Sequence, residues 1–183
     1  MYGSEMHLQF ALDDRREFPK VTDPGAIRSL RVWNCKFRTL AAIGEFSALE
    51  GLEILVYPDE SLDLLTRCTR LRYLSITHLP RVTDLQPLSI LGSIVTLRLA
   101  TLPSWDASGK KTVVRSLEPL SGLRRLKHVE LFGVVPEDRS LAPLEGVGSL
   151  ETGRFSKYPR REVARFSEST SVADDHAPPP DFG

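Results

Sequence analysis

A leucine-centred triad, L-x-x-L-x-L, returns along this chain at nearly constant spacing, and few folds accept such a pattern. It runs Ile27, Leu30, Val32; Leu49, Leu52, Ile54; Leu71, Leu74, Ile76; Ile94, Leu97, Leu99; and Leu126, Val129, Leu131. A sixth copy degrades to Leu150, Gly153, Phe155. First positions lie 22, 22, 23, 32 and 24 residues apart. A second landmark keeps step with the first: an apolar residue nine positions before each new triad, at Leu40, Leu62, Leu85, Leu117 and Leu141. Three of these open nearly the same phrase, Leu85-Gln-Pro-Leu, Leu117-Glu-Pro-Leu and Leu141-Ala-Pro-Leu.

Residues alternate between the two faces of a strand, so triad positions 4 and 6 point together into a core. The Pro-Leu-x-x-Leu phrase suits a short helical return, since proline is tolerated in a first helical turn. One such coil cannot bury its apolar face alone, so the coils must stack into a ladder.

These residues resemble the short, 22-residue class of leucine-rich repeats, internalin-like and phosphatase-regulator-like, over roughly residues 5 to 163. The resemblance implies an α/β solenoid: a right-handed superhelix with a concave parallel β-sheet and short helical returns on the convex side. The class places asparagine eight residues after the first leucine. Here that place holds Cys35, Tyr57, Leu79, Leu102, Val134 and Tyr158. An asparagine ladder is therefore not expected, and irregular turns are.

Residues 1–26 read as an N-terminal capping coil, with Glu5 in the first triad position, Leu8 and Phe10 in the core positions and Phe18 nine before Ile27. Residues 27–157 form the solenoid and 158–166 a capping helix that turns Val163 and Phe166 inward. Residues 167–183, rich in Ser, Asp and Pro and including Pro178-Pro179-Pro180, read as a disordered tail. A proline-rich peptide ligand is the alternative reading of that segment. The 32-residue interval holds an insertion loop, about 102–114, beside the concave sheet. Its Trp105 is either an exposed binding element or packed on its own coil.

Outward positions 3, 5 and 7 form three columns across the sheet. Column 5 runs Gln9, Arg31, Glu53, Ser75, Arg98, Glu130, Arg154. At the roughly 4.8 Å strand spacing, Arg31 should reach Glu53, and Glu130 both Arg98 and Arg154. A self-satisfied ladder of cross-strand pairs explains this column as well as a charge-reading site does. Column 7 places Trp33 beside Leu55 and, further on, Phe132; column 3 contributes Tyr73 and His128. Trp33, Leu55, Tyr73, Arg98, Trp105, His128, Glu130 and Phe132 are thus the candidate partner-binding residues, because exposed apolar patches and aromatic or arginine anchors concentrate binding energy.

The remaining signals narrow function by what they exclude. The 24 basic and 24 acidic residues balance, so the chain lacks the field expected of a nucleic-acid or anionic-membrane binder. No apolar run approaches a membrane span, and no basic-then-apolar N-terminal pattern signals export. Cys35 and Cys68 have no zinc-ligand spacing. No nucleophile elbow, phosphate loop or H-E-x-x-H motif occurs. His128 and Glu130, two apart on one strand face, are the nearest thing to an acid–base pair. The expectation is a cytoplasmic, monomeric, non-enzymatic protein-binding scaffold without cofactors or metals. An immunity-type inhibitor that blocks a toxin or enzyme and a purely structural spacer are the alternatives.

Overall fold

The computed structural model describes residues 6–180. Glu5, and the outermost parts of the expected cap and tail at 1–5 and 181–183, lie outside the described residues. Seven parallel strands form the main sheet: β1 (His7–Ala11), β2 (Ser29–Trp33), β3 (Gly51–Leu55), β4 (Tyr73–Thr77), β5 (Thr96–Ala100), β7 (His128–Phe132) and β9 (Thr152–Ser156), each beside its neighbour in the chain's own order. The register matches like triad positions across every pair, so that Leu30, Leu52, Leu74, Leu97 and Val129 stand in one row. Their side chains and those of the position-6 row are at most 2% exposed from Leu30 to Leu131.

The returns are short because a coil of about 22 residues leaves no room for a long helix. Five-residue 3-10 turns occupy Ala41–Glu45, Asp63–Arg67 and Gln86–Ile90, a three-residue one Glu118–Leu120, and a single α-turn, α2, Ala142–Glu145. Each begins immediately after the landmark residue and buries one apolar side chain: Ile43, Leu65, Leu88, Leu120 or Leu144.

The turns after the strands are more regular than the missing asparagines suggested. The residue seven after each first triad position adopts a left-handed backbone at Leu12, Asn34, Val56, His78, Gly133 and Lys157, with φ between 52° and 71°. Among the matched coils, only Thr101, which leads into the insertion, departs. In place of an asparagine ladder, two tyrosines reach inward: Tyr57 donates to the Ser61 carbonyl at 2.6 Å, and Tyr158 to the Val134 carbonyl at 3.0 Å.

The insertion is structured. It comprises a helical turn α1 (Pro103–Ala107) and a strand β6 (Thr112–Val114), which pairs in parallel with β8 (Val134–Pro136) to make a second, two-stranded sheet. Two β-branched runs meet there, Thr112-Val113-Val114 against Val134-Val135, as suits a pleated surface.

Phe10 and Phe18 pack edge to face at 5.1 Å, and Phe18 meets Phe37 and Phe46 at 5.2 and 6.2 Å. This aromatic cluster covers the first end of the core. At the other end α3 (Arg160–Ser169) seats Phe166 against Phe155 with ring centroids 5.3 Å apart. The Glu162 carboxylate on α3 accepts the Leu141 amide at 2.6 Å and pairs with Arg165 at 2.7 Å. The Arg165 hydrogen bonds, supplemented by the Leu141 amide and the Ser140 hydroxyl against an opposing effect of burial, hold this carboxyl down to about 2 from an ordinary 4.5. A depressed carboxylate stabilises the fold above its unfolded-state pKa and loses that contribution as pH falls through the folded value. Glu162→Gln is therefore expected to cost about 1 kcal/mol at pH 7 and to flatten the loss of stability between pH 4.5 and 2. Urea unfolding of both proteins at pH 7 and pH 3 checks this. An equal acid loss in parent and variant would remove Glu162 from the account.

The reading of 167–183 as a disordered tail does not describe residues 167–180. The helix continues to Ser169. Ala173 then forms a parallel bridge with Thr152, accepting the Gly153 amide and donating to the Glu151 carbonyl, both at 2.9 Å. Composition misleads here because the segment gains its order from groups on the sheet and not from an apolar content of its own.

Candidate functional site

The outward face of the main sheet is where the chain departs from a purely structural ladder. Strand geometry sends positions 3, 5 and 7 away from the core, yet Tyr73 is only 5% exposed, Thr96 6% and Glu130 1%. Their cover is the C-terminal segment. After Ala173 it leaves the sheet edge and crosses the strands. The Ala177 amide donates to Glu130 Oε1 at 2.9 Å, and His176 Nδ1 lies 3.3 Å from the same oxygen. Pro178, Pro179 and Pro180 then line one cavity with Tyr73, Thr96 and His128. Pro180 also borders a second cavity, with Gln9, Arg31 and Glu53. The segment thus runs from β7 and β9 back toward β2 and β3.

Glu130 is the pivot of this arrangement. Its Oε2 receives Arg98 Nε at 2.6 Å while Oε1 holds the tail. Burial alone would push its carboxyl up; the Ala177 amide and the Arg98 and His176 side chains outweigh this and hold it below the usual range. The predicted pairing of Glu130 with Arg154 is not formed. Arg154 turns instead to the tail, reaching Asp174 at 3.4 Å and the His176 ring. Arg31 does meet Glu53, at 3.2 Å.

The structure brings Tyr73, Arg98, His128 and Glu130 together beneath the tail and leaves the other candidates apart. His128 Nδ1 is 2.9 Å from the Thr152 hydroxyl, and burial holds its ring below the ordinary histidine range. His128 therefore faces Thr152, while Glu130 is engaged by Arg98 and the tail, so the two are not arranged as an acid–base pair. Trp33, 38% exposed, stands at the far end with the Arg31 guanidinium 4.2 Å above its ring and Leu55 at the matching place on β3. Phe132 is half-buried with Arg154 5.8 Å from its ring. Four strand spacings, about 19 Å, separate it from Trp33. Trp105 packs edge-on against His78 of the preceding coil at 4.8 Å and carries Lys110 Nζ at 5.6 Å. It is half-buried.

Sequence reasoning missed His176 and Ala177, and read the three prolines as part of a disordered tail or a peptide ligand without placing them on this face. One signal was present: a proline run cannot donate backbone hydrogen bonds, so it can cross the face of a sheet without leaving donors unmet. Cys68 is fully buried beside the Ile43 carbonyl, and burial pushes its thiol up to about 11. Cys35 lies 3.6 Å from the Trp33 carbonyl. Among the described residues no cluster of three or more His, Cys, Asp or Glu side chains is placed to hold a metal, and no helix is long and apolar enough to cross a membrane.

No family model and no curated protein matches the sequence. Among solved structures the chain is similar to internalin C2 from Listeria monocytogenes, with a TM-score of 0.56 and 24% identity over 70% of this chain and 52% of that one. It is similar also to an internalin (inlF) from the same strain, with a TM-score of 0.57 and 17% identity over 80% of this chain and 46% of that one. The chain spans about half the length of these internalins. Taken with the triad register, the seven-stranded parallel sheet and the short returns, these likenesses establish the fold. The chain is a leucine-rich-repeat solenoid.

Proposed function

We propose that this solenoid is a protein-interaction scaffold that holds a partner protein on its concave face, with the insertion at 102–114 contributing at the edge. The observation that carries the reading is the set of large side chains at outward positions, Trp33 above all. Trp33 is a bulky aromatic on a face with no core to fill, it is stacked by Arg31, and it is flanked by Leu55. Such tryptophan and arginine anchors dominate the energetics of protein interfaces. The protein acts in the cytoplasm by binding and not by catalysis; Arg98, Trp105, His128 and Phe132 complete the contact surface, and Tyr73 and Glu130 join it where the C-terminal segment is displaced.

The test is affinity capture from native lysate with the purified chain and with a Trp33→Ala, Phe132→Ala double variant. A captured protein should bind the variant at least about thirtyfold more weakly, the loss of one anchor worth about 2 kcal/mol. The variant should keep the parent's thermal midpoint to within a few degrees, because neither side chain belongs to the core. A partner retained equally by both proteins would refute the concave-face reading.

A further inference from the structure

We propose that the groove over Tyr73, Thr96, Arg98 and Glu130 is a receptor for an extended proline-rich peptide segment, and that residues 173–180 are its resident intramolecular occupant. This deepens the scaffold reading, on which it rests, by stating the chemistry of what the concave face takes: an extended strand of protein with one free amide followed by prolines. Partner and tail then compete for the same place.

The face of a β-sheet offers an incoming chain no backbone partners, because the strands' own amides and carbonyls are spent on the ladder. A chain lying across it must meet side chains alone, and every unmet amide is a cost. The tail has the composition that answers this. Its one donor at the crossing, the Ala177 amide, meets a carboxylate 1% exposed at 2.9 Å. The next three residues are prolines, with no donor to satisfy, and they line one cavity with Tyr73, Thr96 and His128. A proline run is also stiff before it docks, so little conformational entropy is lost on binding. The recognition mode, prolines against an aromatic with a polar group fixing register, is a general one for extended peptides.

The receiving groups are also held by side chains of the sheet itself. Arg98 orients Glu130 at 2.6 Å, and Tyr73 Oη lies 3.4 Å from Glu53 Oε1. The tail itself is held lightly. From Asp174 to Pro179 its residues are mostly exposed, and its contacts to the sheet come from single groups: Asp174 with Arg154 at 3.4 Å, the His176 ring with Arg154 and Glu130, and the Ala177 amide with Glu130. An occupant that seats a buried carboxylate yet buries little of itself is one that a competitor displaces.

The experiment uses the full chain and an Ala177→Pro variant, which removes the amide that Glu130 accepts and keeps the extended backbone. A fluorescent synthetic peptide of residues 173–180 is titrated against each, followed by anisotropy, alongside the same peptide with proline at the place of Ala177. Amide exchange at Ala173 and His176, whose amides the substitution leaves in place, reports separately whether the variant's tail has left the groove. The expected result is loss of exchange protection in the variant, at least tenfold tighter peptide binding to the variant than to the parent, and no binding of the substituted peptide. A released tail with no gain in peptide affinity would overturn the proposal and make the segment a structural strap. A tail still protected in the variant would overturn it as well, since the Glu130 contact would not be what holds it. The scaffold reading is judged apart from this, on the Trp33 and Phe132 variant: it stands if that variant loses a captured partner while the peptide fails to bind, and falls if the peptide binds but the partner is indifferent to those anchors.

Discussion

A chain carrying leucine in place of Gly153 is expected to be about 3 kcal/mol less stable than the parent, although the change completes the last L-x-x-L-x-L triad. By sequence alone it looks like a repair. In the structure the space that leucine would fill is already taken. A Cβ built on Gly153 meets the Phe155 ring at 3.0 and 3.1 Å and the Val172 Cγ1 at 3.2 Å. Phe155 has folded back toward Tyr158 and Phe166, with ring centroids 5.8 and 5.3 Å away. Val172 arrives from beyond the capping helix to close the same site. Adding four carbons to a filled core costs roughly 1–3 kcal/mol or more through displaced rotamers and backbone, and the strained neighbours here include the root of the tail. Urea unfolding measures the loss, and exchange at residues 172–177 should show the tail loosened as well. An unchanged or raised unfolding midpoint would mean that Val172 does not occupy this place.

Gly153 also shows where the sequence was legible and where it was not. Positions 4 and 6 of the complete triads became the buried rows of the sheet, because an alternating pattern in a stacked coil has one inward face. The landmark leucines became the starts of the returns for the same reason: a repeat spacing is a repeat geometry. At the sixth copy the pattern fails, and composition could not say that a proline- and aspartate-rich segment would complete it. The contacts that place that segment belong to single residues far apart in sequence: Gly153 with Val172, Thr152 with Ala173, and Glu130 with Ala177. None of them leaves a periodic trace.

The candidate site divides along the same line. Column membership correctly set Arg31 beside Glu53 and Arg98 beside Glu130, because strand register alone determines such pairs. It put Arg154 on Glu130 as well, and failed there because the tail offers Arg154 a carboxylate and an imidazole that strand spacing cannot foresee. Trp105 was read as an exposed binding element or as packed on its own coil, and neither reading names the neighbour it has. Its seat against His78 follows from a one-turn helix in the insertion, where no repeat guides the reading.

Gly133→Ala is expected to destabilise the fold by about 3 kcal/mol, with about half of that loss recovered in a Gly133→Ala, Thr101→Ala double variant. Gly133 lies at the turn between β7 and β8 with φ at +68°, in the left-handed position that every other regular coil shares. Alanine there pays about 1–2 kcal/mol for that conformation. Asn34, Val56 and His78 show that the backbone alone tolerates a side chain at the equivalent place. What sets Gly133 apart is its neighbour: a Cβ would collide with the Thr101 hydroxyl, with the Thr101 Cγ2 3.1 Å away. Thr101 is 6% exposed and sits on the coil from which the insertion departs, its amide bonded to the Phe132 carbonyl at 2.8 Å, so it has little room to yield. The collision and the conformational cost are separable by a double-mutant cycle in urea unfolding. Rescue of about 1.5–2 kcal/mol by Thr101→Ala would assign the excess to the collision. Strict additivity of the two changes would assign the whole loss to the backbone and make Gly133 no different from the left-handed residues of the other coils.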